Sequence, residues 1–231
     1  MKRGKFIDAN NTDIAMKLAI FDLDDTLING DCASLWCRYL MKQGILDTGF
    51  LEKEANMMAL YAQGVLDMHD YMQFFLEPLR QRTTREVSAW VDDFIRQDIL
   101  HRVRPDAVQC INQHQANGDK VLVISASAEF LVCPIAALMG IDQVLAISCQ
   151  NYKGRYTGQT TGILTFREGK ITRLQEWLNQ QPETPSCSYF YSDSANDLPL
   201  LQWADEAFVV SPEARLTEIA QEKQWPILHW S

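Results

Sequence analysis

Short apolar runs that end at a small or acidic residue recur along the chain and constrain its fold more than any other feature. Such runs are typical of strands that are buried on both faces of a sheet. Helical patterns lie between most of them, and one helix is predicted to begin at Pro105. This alternation predicts an α/β fold with a mostly parallel sheet. The runs are Lys17–Asp22, Lys120–Ser125, Val144–Ser148, Ser188–Ser192 and Ala207–Val210.

One long segment interrupts the alternation with helical patterns alone. Between residues 31 and 102 the apolar residues recur at helical spacing, and no run is typical of a strand. Aromatic residues that share a helix face there, such as Tyr71 and Phe75, favour core packing over ligand binding. We therefore expect a helical cap at 31–102, inserted into an α/β core made of residues 16–30 and 103–231.

Two shorter segments have patterns of their own. Gln150–Arg167 places glycines between polar residues that favour strands, which predicts a hairpin. Residues 1–15 are polar and show no periodicity, which predicts a flexible leader ahead of the first strand.

The charge balance limits the class of partner. The 231 residues carry a formal net charge of −9, from 21 basic and 30 acidic side chains, and neither sign gathers in a long run. This disfavours nucleic acid and anionic membranes and favours a small ligand.

No segment approaches the roughly 18 apolar residues that span a bilayer, and no signal-type stretch is present, so we expect a cytoplasmic protein. The six cysteines form no C-x-x-C pair and are expected to be free thiols. The oligomeric state has no signature in the sequence.

A cluster of acids, Asp22, Asp24 and Asp25, lies at the end of the first predicted strand. The carboxyl edge of a parallel sheet is where α/β proteins bind ligands. Asp22 and Asp24 point the same way in an extended chain, and such neighbours repel unless a cation or a proton holds them. A calcium loop of EF-hand type would need glycine and glutamate where Leu27 and Ala33 stand, so we reject it. A solvated acidic turn is the alternative.

Later segments add further polar residues. Ser125 ends a predicted strand, and Ala126 follows it into a helix start, where hydroxyl and N–H groups can hold phosphate; a plain helix cap is the alternative. Lys170 begins a predicted helix, where a cation opposes the helix dipole and so indicates an anionic partner outside the helix; a surface lysine is the alternative. Asp193 and Asp197 follow another strand, and helix capping explains only one of them.

In their order along the chain these residues resemble the four motifs of the haloacid dehalogenase superfamily. The resemblance covers nearly the whole chain from Met16 and implies a Rossmann-like, mostly parallel sheet with a helical cap, and phosphatase or phosphotransferase activity. The placement of the cap and the segment Gly154–Lys170 look like the phosphoserine-phosphatase branch, and within it a bacterial group described as histidinol-phosphatase-like. The motif residues are Asp22, Asp24, Thr26, Ser125, Lys170, Asp193 and Asp197.

The resemblance also implies a role for each residue. Asp22 would attack phosphorus and form an aspartyl-phosphate, while Asp24 would act as general acid and base. Mg²⁺ would be held by Asp22, the backbone carbonyl of Asp24 and Asp193. Asp197 would orient Lys170. The residues implied to contact the phosphate are Thr26, Ser125, Ala126, Lys170 and Asn196.

Two positions in the cap lead to a substrate prediction. Asp31 stands nine residues beyond Asp22, where phosphoserine phosphatases carry an acid that meets the substrate ammonium. Gln73 aligns with their arginine, which pairs with the serine carboxylate. We therefore expect an amino-alcohol phosphate such as histidinol phosphate. The alternatives are a phosphoserine phosphatase and, outside enzymes, a phospho-aspartate receiver domain, although receivers have no helical insertion after their first strand.

Overall fold

The computed structural model describes residues 16–231, and within them seven strands form one sheet. The strands are β1 (Lys17–Phe21), β2 (Lys120–Ala128), β3 (Val144–Tyr152), β4 (Arg155–Thr161), β5 (Cys187–Ser192), β6 (Glu206–Val210) and β7 (Ile227–Leu228). Their order in the sheet is β4-β3-β2-β1-β5-β6-β7. Neighbouring strands are parallel, except for the antiparallel pair β3 and β4. The predicted α/β fold with a mostly parallel sheet is confirmed.

The central position of β1 decides where a ligand can bind. The chain continues from β1 to β2 and β3 on one side, then returns to β5, β6 and β7 on the other. At such a reversal the loops that leave neighbouring strands diverge and open a crevice at the carboxyl edge of the sheet. Asp22 and Asp193 directly follow β1 and β5 at this edge, and Ser127 lies near the end of β2.

The side chains of β1 alternate between the two faces of the sheet. Leu18 and Ile20 are fully buried in a cluster that includes Leu174 on the face of the later helices. Ala19 and Phe21 are fully buried in the cluster on the opposite face. Because both faces are covered, the strand is apolar at every buried position, and the run ends only where Asp22 emerges at the edge.

Helices cover both faces of the sheet, and four of them lie between β1 and β2 in the insertion. The helices are α1 (Cys32–Lys42), α2 (Thr48–Ala62), α3 (Met68–Leu76), α4 (Thr84–Phe94), α5 (Pro105–Ala116), α6 (Glu129–Ala137), α7 (Glu168–Leu178), α8 (Leu198–Trp203) and α9 (Ala214–Lys223). One-turn segments at Glu77–Leu79, Ile95–Ile99, Leu100–Arg102 and Ala195–Asp197 connect or extend them. The insertion is helical throughout, as its apolar spacing predicts.

The inserted helices pack directly on the sheet layer. Trp36 of α1 lies 5.7 Å from Phe130 of α6, measured between ring centroids, and Phe75 of α3 lies 6.2 Å from the same ring. Their buried side chains belong to the same cluster as Phe21 of β1. The division into a core of 16–30 and 103–231 and a cap of 31–102 therefore stays a prediction, because one continuous apolar cluster joins the two parts.

The structure differs from expectation at the end of the second strand. β2 continues past Ser125 to Ala128, so the helix expected there begins at Glu129. Residues two apart in an extended chain point the same way, which brings Ser127 to the side of Ser125. The hairpin predicted at Gln150–Arg167 is confirmed by the antiparallel pairing of β3 with β4.

Other expectations from the sequence concern the thiols and the termini. All six cysteines are free, and Cys32, Cys37 and Cys149 are buried. Between residues 16 and 231, every helix is too short or too polar to cross a membrane. The leader predicted at 1–15 lies outside the described residues.

Candidate active site

Asp22 emerges from β1 into direct contact with Lys170. Its Oδ1 accepts a hydrogen bond of 2.8 Å from Lys170 Nζ, and its backbone N–H donates to the carbonyl of Tyr191 at 2.9 Å. Burial raises the pKa of Asp22 to about 8, against the charge of Lys170, which lowers it. The carboxyl group is therefore fixed in position, and its second oxygen accepts no hydrogen bond that the structure assigns within residues 16–231.

Lys170 lies below the floor of the site rather than on the surface. Helix α7 begins at Glu168, so Lys170 stands in its first turn with its side chain only 2% exposed. The ammonium also donates to Asp197 Oδ2 at 2.7 Å, and Asp197 accepts a further bond from Ser192. Burial alone would lower the pKa of Lys170, but the two carboxylates outweigh burial and raise it. The alternative of a surface lysine is wrong.

Asp24 is surrounded by donors from α1 and β2. The N–H of Cys32 donates to its Oδ1 at 2.7 Å. The hydroxyls of Ser127 and Ser125 donate to its Oδ2 at 2.7 Å and 3.3 Å. These bonds hold the carboxyl group beside the cavity, and they come from the two hydroxyls that the extended end of β2 aligns.

Asp193 is attached to the loop after β1 through Thr26. The Thr26 hydroxyl donates to Asp193 Oδ1 and accepts from the Asp193 N–H, both at 3.0 Å. Burial raises the pKa of Asp193 well above its usual value, and the charge of Asp22 adds to this. Thr26 is thus committed to Asp193 and is fully buried, so the structure does not bring it to the cavity wall as a phosphate contact.

A cavity of about 260 Å³ opens above these residues, between the sheet edge and the inserted helices. Acidic side chains dominate its polar wall, and its apolar wall comes from the cap. Among the described residues, none that lines the cavity is basic. The lining residues are Asp22, Asp24, Asp25, Asp31, Ala33, Met58, Tyr61, Ala62, Met68, Tyr71, Ala126, Ser127, Asp193, Ser194, Asn196 and Glu213.

The two predicted specificity positions have different locations. Asp31 lines the cavity and caps α1, where its Oδ1 accepts from the Ser34 N–H at 2.7 Å. Burial raises the pKa of Asp31 to about 7, and the charge of Asp24 contributes. Gln73 is exposed and lies in a separate groove of the cap beside Lys53. The structure therefore brings Asp31, but not Gln73, to the candidate site.

Asn196 joins the sheet edge to the end of α2. Its amide Nδ2 donates to the carbonyl of Tyr61 at 3.3 Å. Its Oδ1 accepts from Arg167, whose guanidinium also donates to the carbonyl of Gly64. Asn196 and Arg167 thus hold the segment that closes one side of the cavity.

The structure gathers most of the predicted residues at one place. Asp22, Asp24, Ala126, Asp193 and Asn196 line the cavity, whereas the other predicted phosphate contacts and Asp197 lie behind its wall. The side chains of Ser127, Arg167, Tyr61 and Tyr71 were not predicted from the sequence to be functional. The two-residue spacing of Ser127 from Ser125 could have indicated that both hydroxyls lie on one side of the strand. Aromatic residues on one helix face give no indication that a tyrosine is functional.

The donor set determines whether a metal ion suits the site. Within the described part of the chain, no three His, Cys, Asp or Glu side chains lie close enough to hold an ion by themselves. The predicted metal site does not require three such side chains, because it combines the carboxylates of Asp22 and Asp193 with a backbone carbonyl. All of these donors are hard oxygens, which Mg²⁺ prefers. The acid-rich wall also lacks a basic lining residue to balance it, so the set fits a divalent cation.

Comparisons with known proteins agree with this geometry. Residues 19–202 match the haloacid dehalogenase-like hydrolase family. A histidinol-phosphatase of Neisseria meningitidis serogroup C is 39% identical over 218 residues, which cover 92% of this chain and 98% of that protein. A protein of unknown function from Bordetella pertussis Tohama I has a TM-score of 0.86 at 33% identity, covering 93% of this chain and 98% of that one. A substrate-bound phosphoserine phosphatase has a TM-score of 0.69 at 19% identity over 92% of each chain, which supports the fold alone.

Proposed function

This chain belongs to the haloacid dehalogenase-like hydrolase family and is a phosphatase, and from that premise we propose that it hydrolyses a small amino-alcohol phosphate such as histidinol phosphate. The observation that carries the proposal is a catalytic cavity with acids and apolar side chains on its wall and no basic lining residue among those described. A phosphoaspartate receiver is not supported, because an insertion of four helices follows the first strand and the relative that is 39% identical is named as a histidinol-phosphatase.

The proposed reaction begins at Asp22. One carboxylate oxygen attacks phosphorus, a bond to Asp22 forms, and the bond from phosphorus to the alcohol oxygen breaks. Asp24 gives its proton to the departing oxygen and later takes a proton from the water that hydrolyses the aspartyl-phosphate. The donors on Asp24 from Cys32 and Ser127 keep this carboxyl group beside the cavity during both steps.

In this proposal Lys170 orients the nucleophile and Asp193 contributes to the metal site. Lys170 holds Asp22 at 2.8 Å, so the nucleophile keeps one orientation as phosphorus approaches. Asp22, the Asp24 carbonyl and Asp193 would hold Mg²⁺, with Thr26 fixing the Asp193 carboxylate. A bound Mg²⁺ ion neutralises charge on the transferring phosphoryl oxygens. Ala126 and Asn196, which line the cavity, are proposed to face the phosphate.

The leaving group is proposed to carry positive or N–H groups and no carboxylate. Asp31 lies in the cavity wall and can accept hydrogen bonds from an ammonium or an imidazole N–H. The side chains of Met58 and Met68 offer an apolar surface for a ring. A carboxylate enclosed here would face acids without a cation to pair with. The cytoplasmic location stays a prediction.

Histidinol phosphate is expected to be a far better substrate than phosphoserine. A carboxylate buried without its cation loses about 2–4 kcal/mol, which corresponds to roughly 30- to 1000-fold in kcat/KM. Steady-state kinetics of the purified enzyme with both esters, at equal Mg²⁺, measure the ratio directly. Phosphoserine is the second candidate because Asp31 has the spacing of the acid that meets its ammonium. An equal or higher kcat/KM for phosphoserine would replace the proposed substrate with it.

Removal of divalent metal is expected to reduce hydrolysis of p-nitrophenyl phosphate to background. Mg²⁺ should restore the rate and Ca²⁺ should not, because Ca²⁺ takes more ligands at longer distances and would misplace Asp22. Rates in chelator, and after addition of each ion, test this. The thermal unfolding midpoint in chelator serves as the control that the protein is still folded. Full activity in chelator would exclude a metal role.

A further inference from the structure

Side chains from outside the cap attach the end of helix α2 to the sheet edge. Arg167, directly ahead of α7, donates from its guanidinium to the carbonyl of Gly64 and, at 3.3 Å, to Asn196 Oδ1. Asn196 Nδ2 donates in turn to the carbonyl of Tyr61 at 3.3 Å. The guanidinium carbon lies 4.8 Å from the centroid of the Phe166 ring, which packs 5.7 Å from the ring of Tyr61. Arg167 thus joins α7, the loop after β5 and the cap.

The backbone of Arg167 has a conformation that costs free energy. Its φ is +51° and its ψ is −122°, which side chains other than that of glycine rarely adopt. Glycine would adopt this conformation without the cost, so the turn into α7 does not by itself explain an arginine here. Strained residues persist where the surrounding structure or the function requires them. We therefore attribute the arginine to what its side chain binds.

Helix α2 is held to the fold by less apolar packing than its neighbours. Of its 15 residues, all described by the structure, only Glu54 is buried. The other cap helices have more buried residues, with seven in α1, five in α3 and three in α4. The hydrogen bonds at the end of α2 therefore matter more to its position than such bonds matter to the other cap helices.

The loop ahead of α4 is fixed to the hairpin of β3 and β4 in a different way. Main-chain hydrogen bonds of 2.9 to 3.0 Å run from Gln81 to Tyr156, from Tyr156 to Arg82 and from Thr84 to Gly154. Movement of the cap on this side would break a ladder of main-chain bonds. Movement of α2 would break the side-chain bonds at Tyr61 and Gly64. The cap is therefore easiest to open at α2.

We propose that Arg167 is a positioning residue that holds α2 closed over the cavity, and that α2 moves as the lid while the rest of the cap stays packed on the core. In the closed position Met58, Tyr61 and Ala62 of α2 form part of the cavity wall. Release of Gly64 by Arg167 would withdraw this wall and open the cavity to solvent. The inference goes beyond the proposed substrate and holds for whichever ester the cavity accepts.

The chemistry of arginine suits this role. Its planar guanidinium can donate to acceptors on two different elements at once, here the cap carbonyl of Gly64 and the amide oxygen of Asn196. The same plane can stack on Phe166. Lysine would supply the charge but not the planar fork, so it should hold α2 less firmly.

The kinetic test compares Arg167→Met with the wild-type enzyme on p-nitrophenyl phosphate. KM should rise by roughly 10- to 100-fold, since the variant populates the closed position less and the substrate must restore it on binding. The value of kcat should stay within about threefold, because the chemical step still occurs in the closed state. Arg167→Lys should give an intermediate KM. Arg85→Met, at an exposed arginine of α4, is the matched control.

Amide hydrogen exchange locates the effect in the fold. In Arg167→Met the amides of residues 58–65 should exchange faster than in the wild type, because the end of α2 opens more often. The amides of Gln81 and Thr84, which donate to the hairpin, should exchange at the wild-type rate. If Arg167→Met proves too unstable to purify, Arg167→Lys provides the same two measurements.

Three results would overturn the inference. One is an unchanged KM or unchanged exchange over residues 58–65. Another is faster exchange at Gln81 and Thr84 as well, because the whole cap would then loosen as one body. The third is a lower kcat at the wild-type KM, which would place Arg167 in the chemical step. A wild-type enzyme without activity on p-nitrophenyl phosphate would instead contradict the phosphatase function, and exchange over residues 58–65 would still decide whether Arg167 holds α2.

Discussion

Asp22→Asn is expected to lower kcat by at least about 10³-fold, because an amide oxygen is not a competent nucleophile toward phosphorus. The substitution leaves the hydrogen-bonding shape of the side chain nearly unchanged. Lys170 also keeps its second partner, Asp197, at 2.7 Å. The loss should therefore come from chemistry and not from unfolding. Turnover of p-nitrophenyl phosphate measures it, and acid quenching should trap a phosphoenzyme only in the wild type.

A measurement of stability distinguishes the expected loss of catalysis from a general folding defect. Burial raises the pKa of Asp22 to about 8, so between the unfolded pKa and this value the carboxyl group is ionised in the unfolded chain and must take up a proton on folding, which costs stability. The neutral variant should be at least as stable as the wild type at pH 7 without metal. Asp142→Asn, at an exposed aspartate, is the matched control for the substitution itself. A variant that retains a tenth of the wild-type rate would remove Asp22 from the role of nucleophile.

Lys170→Met is expected to abolish turnover and to lower the free energy of unfolding by about 3–5 kcal/mol, the range for breaking a buried ion pair. The reason is that Lys170 is 2% exposed and lies between two carboxylates, which the substitution leaves buried without a cation. Methionine keeps the apolar length of the side chain, so a packing defect should contribute little. Chemical denaturation at pH 7 gives the free energy, and p-nitrophenyl phosphate gives the rate.

A second substitution tests the cause of this instability. Adding Asp22→Asn to Lys170→Met removes one of the unpaired carboxylates, so the double variant should be more stable than Lys170→Met alone. Lys223→Met, at an exposed lysine, should leave the free energy of unfolding nearly unchanged. A stable Lys170→Met protein without activity would mean that water reaches these carboxylates and that the lysine acts in catalysis only.

The position of the acids at the strand ends could be predicted from the sequence, because two strong local signals coincide there. The run ahead of Asp22 is apolar at positions facing both sides of the sheet, and the acids begin at the residue where the strand ends. Parallel strands then place Asp22 and Asp193 at one edge without further information. The helical nature of the insertion followed from its spacing in the same way.

Contacts between residues far apart in the chain could not be predicted from the sequence. Lys170 and Asp22 are separated by 148 positions, and only the packing of α7 behind the sheet edge buries the lysine between two acids. Gln73 was predicted from its alignment with the arginine of phosphoserine phosphatases, but it is exposed on α3, whereas Tyr71 of the same helix lines the cavity. A helical pattern indicates which residues share a face, yet it does not indicate what that face meets.

Within the described residues, the hydrogen bonds from Arg167 and Asn196 to the end of α2 both go to main-chain acceptors, the carbonyls of Gly64 and Tyr61. A backbone carbonyl is present at these positions whichever side chain occupies them. Tyr61 and Ala62 line the cavity, so mutation can reshape its wall while these main-chain hydrogen bonds remain. Gly64 is the exception, because its φ of +70° strains any larger residue, and a Cβ there would lie 3.1 Å from the Arg167 guanidinium that binds its carbonyl. New substrate preferences can thus arise in this segment at little risk to the closed site.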